Sequence, residues 1–518
     1  MTTTIEKPED TTKEMNLVMR SLIQMGPALL KNKPVIKMAM KMGENYLKND
    51  NERRHKEDKT TPPGVIDDQT AMSLAILNSA KNILLSGHIS KATFDKAASV
   101  LGKDLLVEKG LRLRKAQEFV KKYGFAQPSF LLISPTHGCN LHCIGCYADS
   151  DEKVQKLDYD IFDRMVTEAY DYWGNQFIVI SGGEPLSYRS QGKTLLDIAE
   201  SHPNMYFMFY TNGTLITPEI ARRMANLGNI IPMVSLEGWR EKTDARRGKG
   251  VFDKAMAALD LMYEEGVIYG TSLTATKENC EEILSEEFID FLFDEKHVRI
   301  AWIFHYLPIG RSYTLELMPT PEQRIWMWNQ SWTMVREKRR LIADFWNSGT
   351  AVDGCLSAGG HGHGGYLYID WYGHVTPCVF VPYSPVNINE IYAKGGSLED
   401  IYQSPFFKDL RDWQIEIKAK TGASNLMNPC PIRDHHTDLR RMIAKHEPDP
   451  IDINAAQALQ DPDYAKGMDA YDAAYQKIVD EVWQKAYIKQ QRLSQEELMQ
   501  LIEKINQDEP IVVESEQS

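Results

Sequence analysis

FLLISPTHGCNLHCIGCYADS, residues 130 to 150, is the stretch on which the reading of this chain turns. FLLIS (130–134) reads as a short, buried strand. The run leads directly into a loop carrying Cys139, Cys143 and Cys146. Three thiols cannot close as disulfide pairs without leaving one over. Tetrahedral zinc usually takes four protein ligands, and His142 is locked between two of the cysteines. An iron–sulfur cluster with one iron open to a ligand that is not protein fits three thiolates better.

Further along the chain the same grammar repeats. FIVIS (177–181), MYFMFYT (205–211), IIPMVSL (230–236), YGTSLTA (269–275) and VRIAWIF (298–304) read as strands, with amphipathic helices such as VFDKAMAALDLMYEEG (251–266) between them. Thr217-Pro218 and Thr320-Pro321 are helix starts, each placing proline at the first helical position. Six strand-then-helix units imply a parallel sheet, with its chemistry at the strand C-terminal ends. The second strand is followed by Gly182, Gly183, Glu184 and Pro185, and the third by YTNGT (210–214). The fourth is followed by SLEGWREKTDARRGKGVF (235–252). Any one of these is ordinary turn chemistry. Four in register, beginning with CxxxCxxC, are not.

In these four ordered motifs, over about residues 128 to 310, the chain resembles the radical S-adenosylmethionine superfamily. The resemblance implies that Cys139, Cys143 and Cys146 hold a [4Fe–4S] cluster whose open iron is chelated by S-adenosylmethionine. It places Gly182, Gly183 and Glu184 against the methionine amino group, and Thr211 and Asn212 along the cofactor pocket. Ser235 and Glu237 match a Ser-Leu-Asp-Gly segment of the peptide-modifying branch, with Glu in place of Asp. Arg247 aligns with the arginine that contacts the cofactor carboxylate, and Arg246 is its alternate. There is one departure: Gly145 stands where many members have an aromatic residue, and Tyr147 follows the third cysteine.

A second cluster is expected further on. Cys355, Gly373, Cys378 and Cys430 resemble the auxiliary-cluster extension called SPASM, or its shortened twitch form, with the later cysteine run reduced to Cys430. That implies one auxiliary [4Fe–4S] cluster on Cys355, Cys378 and Cys430, against the alternatives of structural zinc or buried free thiols. Asp434, His435 and His436 are candidates for the fourth position, and His361 and His363 sit in a glycine-rich turn. GHVTPC, residues 373 to 378, reads as part of a β-hairpin. Cys280 reads as an ordinary thiol, and WMWNQSW (326–332) as helical core.

The expected architecture is an α/β fold of four parts. They are a helical N-terminal extension (1–127), an open six-unit (β/α) TIM-like partial barrel (128–344), a small α+β iron–sulfur domain (345–440) and a helical C-terminal segment (441–518). The chain has 518 residues and a net charge of −13, which argues against nucleic-acid binding. MTTTIEKPEDTTKE lacks an apolar secretory core, and seven uneven cysteines suit the reducing cytoplasm. Residues 16 to 42, with Arg20, Lys31, Lys33, Lys37 and Lys41 and no acid, read either as a packed helical hairpin or as a helix peripheral to the inner membrane face. The stretch 49 to 64 reads as a charged linker.

The function expected is reductive cleavage of S-adenosylmethionine to a 5′-deoxyadenosyl radical that takes hydrogen from an unactivated carbon. Flavodoxin or ferredoxin would supply the electron. The substrate is a peptide or protein, or alternatively a membrane lipid chain. Such an enzyme is expected to be oxygen-sensitive, and the rival of another class is a non-enzymatic iron–sulfur electron carrier or sensor. No catalytic acid or base is assigned.

Overall fold

Runs of four to seven aromatic and branched residues, buried on both faces, pair most readily as parallel strands covered by helices. The computed structural model, which describes residues 32–96, 109–360, 364–420 and 425–507, has these as β1 (Phe130–Ile133), β2 (Phe177–Ile180), β3 (Tyr206–Thr211), β4 (Ile230–Leu236), β5 (Gly270–Ala275) and β6 (Ala301–His305). They pair in chain order, all parallel. β6 starts later than the apolar run suggests, because the Val298 amide is taken by the Leu292 carbonyl in the preceding helical turn.

The sheet is larger than six strands. β7 (Ile342–Asp344) joins β6 in parallel at one end. At the other, β8 (Tyr366–Ile369) lies parallel to β1 with Phe130 opposite Tyr366. β9 (His374–Thr376) folds back on β8 as the expected hairpin. The short β10 (Tyr383–Ser384), β11 (Val386–Asn387) and β12 (Asp449–Pro450) follow, with β11 on β9 and β12 on β10. The main sheet therefore runs β11-β9-β8-β1-β2-β3-β4-β5-β6-β7, open at both ends. The hairpin that ends at Cys378 is a continuation of the barrel sheet.

In the N-terminal extension α1 (Lys33–Glu57) and α2 (Pro63–Ser86) pack as a pair, and a further helix, Lys109–Tyr123, precedes β1. The linker reading of 49 to 64 is corrected here: helix continues to Glu57. Arg53 pairs with both Asp50 and Glu57, so the charged run is a solvated helix face held by i,i+3 and i,i+4 pairs. Pro34 sits in the first turn of α1, where it is tolerated, and does not interrupt it. Residues 16 to 31, with Arg20 and Lys31, and also His361 and His363, lie outside the described residues.

Asp68 of α2 is buried against Arg336, Thr350 and Tyr487, so the N-terminal pair is tied to both the barrel and the C-terminal helices. α3 (Pro321–Glu337) carries Trp328 and Trp332 into the core as expected, and α4 (Pro462–Trp483) packs against it. Among the described residues no helix is long and apolar enough to cross a membrane.

Candidate functional site

The C-terminal ends of β1 to β6 open on one cavity of about 200 Å³. Cys139, Cys143 and Cys146 all line it. Their loop is strapped by a residue with no signal in the sequence: Arg311 donates from Nη1 to the Cys143 carbonyl at 2.8 Å and from Nε to Asp149 at 2.9 Å. Its own amide donates to the Cys146 carbonyl. Burial pushes the Cys139 thiol up to about 12. Burial also raises Cys143, while Arg247 and Arg246 pull it back towards the thiolate. Among the described residues no three donors are drawn in around a single-ion point. What the thiols share is a place in the lining of the cavity.

The β2 loop is packed directly on the cysteine loop. A Cβ at Gly183 would stand 2.1 Å from the Gly138 carbonyl oxygen, and one at Gly182 2.6 Å from that of Thr136. Both glycines line the cavity. Glu184 is fully buried and is not a lining residue. Its carboxylate accepts from Leu186 N, Thr211 Oγ1 and Asn212 N at 2.8 to 3.0 Å, lashing the β2 loop to the end of β3. Asn212 in turn donates to Asn140 at 2.9 Å and to Cys139 Sγ at 3.8 Å.

Ser235 lines the cavity and bonds Ser272 at 2.9 Å. Glu237 lies behind it, accepting from Arg246 Nη1 at 2.6 Å and Arg247 Nε at 2.7 Å through one oxygen, Oε1. Its Oε2 is buried without a partner. Two guanidinium groups on one carboxylate leave net positive charge facing the cysteines, which suits an anionic cluster and a carboxylate ligand.

Gly145 has a structural reason. Its φ is +62°, and a Cβ there would meet Tyr306 Cε2 at 2.6 Å. The space is already filled by an aromatic ring from the end of β6, which lines the cavity beside Cys146. The aromatic surface missing from the loop is therefore present, supplied about 160 residues later in the chain.

Cys355, Cys378 and Cys430 come together on the β8–β9 side, close enough that Cys355 and Cys430 both raise Cys378 in addition to the dominant effect of burial. Cys355 Sγ lies 3.1 Å from Ser357 Oγ, and Cys378 Sγ 2.8 Å from Tyr366 OH. Asp434 is held between Arg324 (2.7 Å) and Arg433 (2.9 Å). His435 bonds the Asn428 carbonyl, and His436 the Ile432 carbonyl. Cys280 is buried at the start of the short helix after β5 and is not a lining residue. Cys139, Cys143, Cys146 and Cys355 are half-buried and Cys378 and Cys430 are buried, and three thiols in each place are a donor type that suits iron–sulfur.

Residues 133–287 match the radical SAM superfamily, and residues 361–431 match an iron–sulfur cluster-binding domain, SPASM. The mycofactocin maturase MftC of Mycolicibacterium smegmatis is 30% identical over 306 residues, 56% of this chain and 74% of that protein. The AdoMet-dependent heme synthase of Methanosarcina barkeri is 25% identical over 334 residues, 58% of this chain and 90% of that one. Among solved structures, Streptococcus suis SuiB bound to S-adenosylmethionine superposes with a TM-score of 0.49 at 19% identity, over 70% of this chain and 87% of that one.

Proposed function

The chain belongs to the radical S-adenosylmethionine superfamily, and from that premise we propose that it removes hydrogen from an unactivated carbon on an uncharged group of a peptide or protein. It is an enzyme that uses a [4Fe–4S] cluster and S-adenosylmethionine, and its second matched domain brings auxiliary iron–sulfur. When bound and reduced, the first cluster supplies the low-potential electron that splits the sulfonium bond and delivers radical chemistry to the cavity.

In this reading Cys139, Cys143 and Cys146 hold the first cluster, and Cys355, Cys378 and Cys430 the auxiliary one. Arg246 and Arg247, fixed on Glu237, receive the cofactor carboxylate. Gly182, Gly183 and Ser235 form the wall of the cofactor pocket. Glu184 acts through Thr211 and Asn212, keeping the β3 end against the cysteine loop. Tyr306 offers the flat surface beside Cys146.

The observation that carries the substrate reading is the character of the cavity beyond the cysteines. Phe130, Trp302, Phe304, Phe345, Tyr366 and Phe380 line it. Its two arginines are already on Glu237, and His305 is neutral between Arg433 and Asp344. An aromatic or aliphatic side chain suits such walls, which also exclude water from a reactive radical. With both arginines given to the cofactor carboxylate, the carboxylates of a tetrapyrrole would find no further Arg or Lys among the described lining residues. The Ser-Leu-Glu-Gly segment supports a peptide.

The test is anaerobic reconstitution, iron and sulfide counting, and reduction with S-adenosylmethionine present. Formation of 5′-deoxyadenosine by the wild type, and none by the variant with Cys139, Cys143 and Cys146 all changed to Ala, is expected. About four irons retained by that variant would place the second cluster on the remaining cysteines. A fully loaded wild type that forms no deoxyadenosine under strong reductant would overturn the proposed hydrogen removal.

A lipid chain is the second reading, and one observation favours it. Lys33, Lys37 and Lys41 are exposed on α1 together with Met38 (57% exposed) and Met42 (42%). Such a face suits an anionic bilayer. Sedimentation with phosphatidylglycerol vesicles, lost when Lys33, Lys37 and Met38 are changed to Glu, would support it. Equal recovery of both proteins in the supernatant would remove it.

A further inference from the structure

Tyr366 belongs to both halves of the site. It stands on β8, in register with Phe130 of β1, and the two rings stack at 5.1 Å with 5° between their planes. That stack forms part of the cavity wall. At the other end of the same side chain, the hydroxyl lies 2.8 Å from Cys378 Sγ. The Val379 amide donates to the phenol oxygen at 3.3 Å. A Cys378 thiolate holding a cluster has no proton to give, so in that state the phenol is the donor and the sulfur the acceptor. Tyr366 is 0% exposed, so no water competes for the bond.

We propose that Tyr366 is a positioning residue that tunes the auxiliary cluster from the wall of the reaction cavity, by donating a hydrogen bond to the thiolate of Cys378. The inference rests on the auxiliary-cluster reading above. Hydrogen bonds to cluster sulfurs spread the negative charge of the reduced state, and they are among the factors that set reduction potentials. A donor whose ring stacks on Phe130 in the cavity wall ties that setting to the packing of the cavity. The register of β8 on β1 makes the link: one residue of slip would turn Tyr366 to the opposite face.

The experiment uses the full chain with Cys139, Cys143 and Cys146 changed to Ala, so that auxiliary iron alone is observed. Iron is counted first. Absence of iron in this background overturns the auxiliary cluster itself, and with it this inference. With iron present, Tyr366→Phe is compared by redox titration followed by electron paramagnetic resonance. Retained iron, altered g-values and about a tenfold lower ratio of reduced to oxidised cluster at fixed potential are expected. Retained iron with unchanged titration and g-values overturns the proposal. Should Tyr366→Phe lose iron, pulsed resonance of the Tyr366 protein in D2O decides. A deuteron coupled to the cluster with the O–H distance of a 2.8 Å bond is required, and its absence overturns the proposal.

Discussion

Arg433 donates from Nη1 to Nδ1 of His305 at 2.8 Å, joining the turn that carries Cys430 to the strand end that lines the cavity. Arginine only donates, so Nδ1 must accept and the ring proton sits on Nε2, 3.1 Å from Asp344. Burial lowers the His305 pKa, outweighing Asp344, which keeps the ring neutral. Arg433 also pairs with Asp434, whose carboxylate accepts from the Cys430 amide at 3.3 Å. Arg433→Leu should cost about 3–5 kcal/mol of stability, because it leaves a buried carboxylate short of a partner. Auxiliary iron should be lost ahead of the first cluster. Denaturant unfolding and iron counts in single-cluster backgrounds check both.

Gly183→Ala places a methyl carbon 2.1 Å from backbone that has no side-chain freedom to move away. The cysteine loop must shift, at a cost of about 1–3 kcal/mol. Iron bound by Cys139, Cys143 and Cys146 should fall, and S-adenosylmethionine affinity with it. Calorimetric binding on the reconstituted protein reads the second effect.

Gly145 and Tyr306 should be coupled. Gly145→Ala alone is strained twice, by φ of +62° and by the tyrosine ring. Tyr306→Leu alone opens a void at the cavity wall. Combining them should recover part of the loss, since the steric conflict disappears while the backbone strain remains. A double-mutant cycle on unfolding free energy should give an interaction of about 0.5–3 kcal/mol, and strict additivity would remove the contact.

Asp472 of α4 makes the chain sensitive to pH. Burial pushes its pKa up to about 8, against the His436 amide that bonds it. The folded state then holds a proton that the unfolded state has released above about 4. Stability from this group is complete below that value and is lost as pH rises through about 8. Asp472→Asn keeps the acceptor without the charge. Its melting temperature should exceed the wild type by an increment that grows from pH 5 to pH 8.5, and a constant increment would locate the effect elsewhere.

Much of the site was legible because its signals are local. CxxxCxxC, the two glycines before Glu184 and the arginine pair each sit at the end of a strand that its own residues specify. The hydrogen bonds by which Glu184 ties the β2 loop to the end of β3 were not legible, since a carboxylate that ties two loops and one that meets a ligand have the same neighbours in sequence. Arg311, Tyr306, His305 and Tyr366 carried no local signal.

What the sequence determined by itself is the ladder β1 to β6 and the loops above it. Apolar runs of strand length, separated by capped helices, allow few arrangements other than a parallel sheet in chain order, and this places Cys139, Cys143 and Cys146 at one end of it. The tertiary structure alone decided that β8 would cover the free edge of β1. It also placed the ring of Tyr306 over Gly145 and brought Arg433 to His305 across 128 positions. Strand periodicity and caps are written within a few residues of where they act. Which edge a distant strand covers depends on unpaired backbone groups and side-chain volumes that meet only once the chain has folded.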